Sequence, residues 1–233
     1  MSNLLLNSSS AFHGHGYMDH VEDAVRETMT GVESILFVPW ALADLDGYTA
    51  SVRDRLERMG FSVSGIHEHD DPIAAVNGAA AIFVGGGNTF RLLSRLYETG
   101  VMPAIRERVA AGMPYMGSSA GSNMACPTIM TTNDMPIVYP PSFDALRLVP
   151  FQINPHYLDA DPDSRHKGET REDRIREYHE MNEVPVVGLR EGAWLRVVGD
   201  EVRLEGHRGA RLMRRGQPAE EFEPGARLDF LLE

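Results

Sequence analysis

The chain of 233 residues, 42% hydrophobic and 24% charged, has the size and composition of one large globular domain, taken here as residues 1–233. A formal charge of −12 argues against a nucleic-acid partner, since nucleic acid is bound through basic patches, and no apolar run approaches the roughly 18 residues that a membrane span needs. The one cysteine, Cys126, excludes an internal disulfide framework and fits a reducing cytoplasm.

In chain order, "NLLLNSS" (3–9) predicts a buried strand rather than the start of a signal peptide, which would be basic and carry a longer apolar run. Four further apolar runs predict strands, each ending in small or polar residues: 34–41, 61–67, 80–87 and 113–119. None alternates strictly, as expected of strands buried on both faces of a parallel sheet. Between them, 48–60 and 88–100 carry apolar residues at helical spacing and end at Gly60 and Gly100. From 127 to 168 the chain is rich in Pro, Asn and Asp and predicts long irregular loops, a face that a homodimer would cover. A helix is expected over 170–182 with Thr170 as its N-cap, then short strands over 184–206 with a turn near Gly199-Asp200. Strand–helix alternation of this kind predicts an α/β fold, a three-layer sandwich around a mainly parallel sheet, with functional residues at the carboxyl ends of the strands.

One motif carries chemistry. Gly117-Ser118-Ser119-Ala120-Gly121 fits G-x-S-x-G, follows a predicted strand and leads into a short helical stretch. Such a turn is too tight for side chains two residues either side of the central serine, and it lifts that hydroxyl above the sheet, where N–H groups at the helix start can hold an oxyanion. Ser119 is therefore the candidate nucleophile, with Ser118, Ser122 and Cys126 off the central position. A serine nucleophile needs a base and an orienting carboxylate. His156 in "QINPHYLD" is the candidate base; the carboxylate is either Asp134 in "TTNDMPIV" or Glu191 in "GLREGAW".

Six blocks in order, "VGGGNTFRLL", "G-x-SAG-x-N-x-ACPTI", "TTNDMPIV", "FDAL-x-L-x-P-x-QINPH", "HKGETRE-x-RI-RE" and "EG-x-W", resemble the peptidase E family of α-aspartyl dipeptidases from about residue 80 to 195. The resemblance implies a fold like that of the class I glutamine amidotransferases and metal-free, cofactor-free hydrolysis of Asp-X dipeptides. It implies Ser119 as nucleophile and His156 as base and acid, and leaves Asp134 and Glu191 both open for the third position. The N–H of Ala120, with one from Gly85-Gly86-Gly87 (Gly87 being favoured), would form the oxyanion hole, and Asn88 would touch substrate. An aspartate-specific pocket needs a cation: of His166, Lys167 and Arg171, Arg171 is favoured because its planar fork matches a carboxylate. Thr131 is a weaker candidate donor. Some relatives carry an aromatic residue where this chain has Ser118, so a smaller wall beside the nucleophile is expected.

The three glycines could cradle a phosphate, although no Lys follows at P-loop spacing. "HGHGYMDH" (13–20) and "HEHDD" (67–71) could bind a metal, but without Cys partners or a helical His pair they read as surface loops. A β-aspartyl or cyanophycin-type peptidase, or a non-catalytic binding domain on the same fold, are the alternatives to the dipeptidase reading.

Overall fold

A computed structural model describes residues 1–161, 163 and 168–233. Its strands and helices follow the apolar runs. The first strand β1 (Asn3–Asn7) leads through α1 (Glu22–Thr28) to β2 (Ser34–Val38), then α2 (Leu45–Arg58), β3 (Ser62–Gly65) and α3 (Pro72–Gly78). Next come β4 (Ile82–Val84), α4 (Thr89–Thr99), α5 (Met102–Ala110), β5 (Tyr115–Ser118) and α6 (Ala120–Ala125). Helix α4 begins at the N-cap Asn88 and stops at Gly100, which takes the left-handed φ of 68° that glycine accepts without strain.

These strands form a seven-stranded sheet in the order β3-β2-β4-β5-β1-β8-β9, where β8 (Ala193–Val198) and β9 (Glu201–Gly206) make a hairpin. The first five run parallel, β8 is antiparallel to β1, and the hairpin turns at Gly199-Asp200 as expected. Side chains alternate across the sheet. Leu5, Ile35, Phe37, Phe83 and Met116 pack against α1 and α2, while Leu4, Leu6, Leu36, Val38 and Val84 pack against α4 and α5. Both faces are thus covered, which explains the near-continuous apolar runs.

Two features depart from the sequence reading. The stretch 127–168 contains a strand, β6 (Gln152–Pro155), and "VVGL" forms β7 (Val186–Leu189) in a second sheet. That sheet, in the order β11-β10-β7-β6, is completed by β10 (Ala210–Met213) and β11 (Glu220–Phe222). Its residues Ile153, Val187, Leu189 and Leu212 join the core that also holds Leu4 and Leu36. Helix α7 (Arg171–Met181) packs on it through Ile175, with Thr170 and Asp173 in a reciprocal capping box. Among the described residues, no helix is long and apolar enough to cross a membrane.

Candidate active site

The turn from β5 into α6 puts Ser119 at φ 53° and ψ −110°, a conformation that costs a non-glycine residue about 1–3 kcal/mol. Its surroundings hold it there. The Ser119 N–H donates to the Asn7 carbonyl at 3.0 Å, and the buried Ser122 hydroxyl lies 2.7 Å from the same oxygen. A methyl group on Gly117 would lie 2.5 Å from the Gly121 carbonyl oxygen, and one on Gly121 would lie 2.0 Å from that of Val84. Backbone stands at both points, so only glycine fits, which is the physical content of the G-x-S-x-G spacing. Ser118, next to the nucleophile, is buried, and its hydroxyl has no hydrogen-bond partner among the described residues. Cys126 is buried too, and burial pushes its thiol up to about 12, leaving no thiolate to compete.

Strands β6 and β7 run parallel with Pro155 opposite Leu189, so their carboxyl ends deliver His156 and, two residues past β7, Glu191 side by side. His156 Nε2 lies 2.9 Å from Ser119 Oγ, and its Nδ1 lies 2.6 Å from Glu191 Oε1. The neutral tautomer that satisfies both contacts carries its proton on Nδ1, donating to the carboxylate and leaving Nε2 to accept from the serine. The histidine backbone also has positive φ, 52°, and is pinned by Ser8. The Ser8 hydroxyl accepts the His156 N–H at 2.9 Å and donates to the Leu189 carbonyl at 2.7 Å. Ser8 thereby stitches the end of β1 to the second sheet. The sequence reading missed it; the one available signal was the polar ending "NSSS" after the three leucines of β1.

Asp134 does not reach the histidine. Its Oδ2 accepts the Thr89 N–H at 2.7 Å and the Thr89 hydroxyl, at the start of α4, where unpaired N–H groups and the helix dipole favour an anion. The geometry therefore brings Glu191, and not Asp134, to the imidazole. Asn88 is likewise committed: Oδ1 caps Arg91 N–H at 3.0 Å and Nδ2 donates to the Met135 carbonyl at 2.9 Å. Each of these atoms keeps one further hydrogen-bonding position, a lone pair on Oδ1 and an N–H on Nδ2. Thr131 is buried, its hydroxyl donating to the Ile153 carbonyl at 2.8 Å, so it anchors a loop instead of facing substrate. With Asp134 filling the α4 terminus, the phosphate-cradle reading of the glycines falls away as well.

The glycine loop passes directly beside the nucleophile. A methyl on Gly86 would lie 3.1 Å from Ser119 Cβ, and the Gly86 N–H donates to the Tyr48 hydroxyl at 2.9 Å. Among the described residues, the N–H groups of Gly87 and Ala120 have no protein acceptor. Both are thus available to an oxyanion. Beyond His156 lies a cavity of about 380 Å³ lined by Phe12, Tyr157, Arg171, Arg190, Glu191 and Arg208, among others. Burial lowers the Arg171 pKa from its ordinary value, Arg174 lowers it further, and Asp134 partly offsets both. His166 and Lys167, the other expected cations, lie outside the described residues. The suspected metal loops hold no group of three metal-ligating side chains among the described residues. Instead Phe12 stacks on His15 and His207, with ring centroids 5.2 and 5.3 Å apart.

The family model for peptidase family S51 matches residues 4–205. The chain belongs to that family. A Streptomyces coelicolor member named peptidase E is 58% identical over 231 residues, covering 99% of this chain and 95% of its own. A Drosophila melanogaster protein named "Probable alpha-aspartyl dipeptidase" is 53% identical over 234 residues, covering 99% and 98%. Among solved structures, a candidate peptidase E from Listeria monocytogenes superposes with a TM-score of 0.68 at 26% identity, covering 89% of this chain and 99% of that one. Membership of S51 is consistent with a site built around a serine on a tight strand–helix turn.

Proposed function

We propose that this protein is a serine-type dipeptidase that hydrolyses Asp-X dipeptides through an acyl-enzyme. One observation carries the reading: the unbroken line from Ser119 Oγ through the His156 ring to Glu191, at 2.9 and 2.6 Å, on a strained turn. Ser119 Oγ attacks the peptide carbonyl while His156 Nε2 takes its proton and Glu191 stabilises the resulting imidazolium. The Gly87 and Ala120 N–H groups hold the tetrahedral oxyanion. His156 then protonates the leaving amine, and water repeats the sequence to release aspartate. Arg171 pairs with the aspartate side chain; a neutral side chain there would leave the guanidinium without its partner. The substrate class is supported by the names of the relatives, peptidase E and alpha-aspartyl dipeptidase.

The test is covalent labelling by a fluorophosphonate together with turnover of Asp-Leu. The wild-type protein should be labelled at Ser119, and Ser119→Ala should lose both labelling and hydrolysis while keeping its thermal stability. Undiminished hydrolysis by that variant would remove Ser119 from the reaction.

A further inference from the structure

An Asp-X dipeptide brings two carboxylates, one on the aspartate side chain and one on the leaving residue, and Arg171 answers only the first. The cavity beside His156 contains two more arginines. Arg190 is already committed: it bonds Asp159 at 2.7 and 2.8 Å and Glu221 at 3.0 Å. Arg208 makes no ion pair or side-chain hydrogen bond among the described residues, although its backbone is firmly held. His207 N–H donates to the Gly192 carbonyl at 2.8 Å, and the His207 ring stacks on Phe12 with an interplanar angle of 14°. A methyl on Gly206 would lie 2.2 Å from the Gly192 oxygen, and one on Gly209 would lie 2.4 Å from the Phe222 oxygen. Close backbone approaches on both sides thus fix Arg208 against the Glu191–Gly192 turn, with its own head left uncommitted.

Position decides which carboxylate it meets. The leaving amine departs toward His156, the group that protonates it, and the Arg208 loop is fastened to the turn that holds Glu191 behind that histidine. Arg171 lines the same cavity but is within electrostatic reach of Asp134, which is bonded to Thr89 beside the glycine loop, whereas the Arg208 loop is bonded to the Glu191–Gly192 turn. We infer that Arg208 binds the terminal carboxylate of the leaving residue and so selects dipeptides over longer chains, which carry an amide there. This assignment rests on the dipeptidase reading above.

The experiment compares kcat/KM for Asp-Leu and for Asp-Leu amide, which lacks only that carboxylate, in the wild type, Arg208→Met and Arg208→Lys. The wild type should prefer the free acid. In Arg208→Met that preference should fall about five- to tenfold, through KM more than kcat, as fits an ion pair at a partly open site. Arg208→Lys should retain part of it, and added salt should erode the preference in the wild type. An unchanged ratio in Arg208→Met overturns the assignment while leaving the peptidase reading intact. Failure of the wild type to cleave either substrate overturns both.

Discussion

At Ser119 and His156 the chain holds two non-glycine residues at positive φ, 53° and 52°, and each is clamped by a residue at the end of β1 or just past it: Asn7 for the serine, Ser8 for the histidine. Strain of this kind persists only where the surroundings over-determine it. The two carboxylates that the sequence left level are separated by what they touch. Glu191→Gln should lower kcat at least a hundredfold, because the histidine loses the charge that orients and stabilises its imidazolium, with little change in stability. Asp134→Asn should do the reverse, costing about 1 kcal/mol at the start of α4 while kcat falls less than tenfold. Steady-state kinetics and thermal melts of the two variants check this. If Asp134→Asn is the catalytically crippled one, the geometric assignment fails. The serine was legible because G-x-S-x-G is enforced by backbone contacts at Gly117 and Gly121. The choice of carboxylate was not, since it depends on the parallel register of β6 and β7, which no local pattern encodes.

Among the elements, the β4–α4 loop lies beside the nucleophile, with Gly86 next to Ser119. Tyr48, from α2, accepts the Gly86 N–H, while the N–H of the next residue, Gly87, has no protein acceptor among the described residues. The tyrosine ring packs edge-on against Phe37, so Tyr48→Phe removes the hydroxyl while keeping the packing. The variant should lose about tenfold in kcat with a smaller change in KM, because a loosened donor acts on the transition state rather than on ground-state binding. A change confined to KM would contradict this role. The parallel strands and α4 were readable from apolar runs and glycine stops, whereas β6 was not. "QINP" has four residues, of which only Ile has strong strand preference, and its pairing comes from β7, which lies 31 residues beyond Pro155 at Val186. The capping role of Asn88 was not read from the sequence for a related reason: a residue that opens a helix beside a site is also the residue that must cap it.

At the scale of the molecule, the segment joining β1 to α1 ties the cavity to overall stability. His20 is buried there, with Nε2 3.1 Å from the Ser9 carbonyl and Nδ1 without a partner among the described residues. Burial lowers its pKa below the ordinary 6.5, His15 and His207 lower it further, and the Ser9 contact and Asp19 oppose them. The folded form thus resists a proton that the unfolded chain accepts. The stabilising contribution is complete above pH 6.5 and is lost as the pH falls through the lowered folded value. Melting temperatures between pH 8 and pH 5 should therefore decline in the wild type and decline less in His20→Gln; parallel curves would remove His20 as the cause. Carboxylates held low by arginine partners, such as Glu22 beside Arg55 and Asp159 beside Arg190, add a separate loss in more acidic solution.

The measurement that bears most directly on the whole account is hydrolysis of Asp-Leu, Asn-Leu, Glu-Leu and β-linked Asp-Leu by the purified protein in EDTA. The account predicts rapid cleavage of Asp-Leu alone, undiminished by the chelator. Equal rates on Asp-Leu and Asn-Leu, or no cleavage of any of the four, would contradict it.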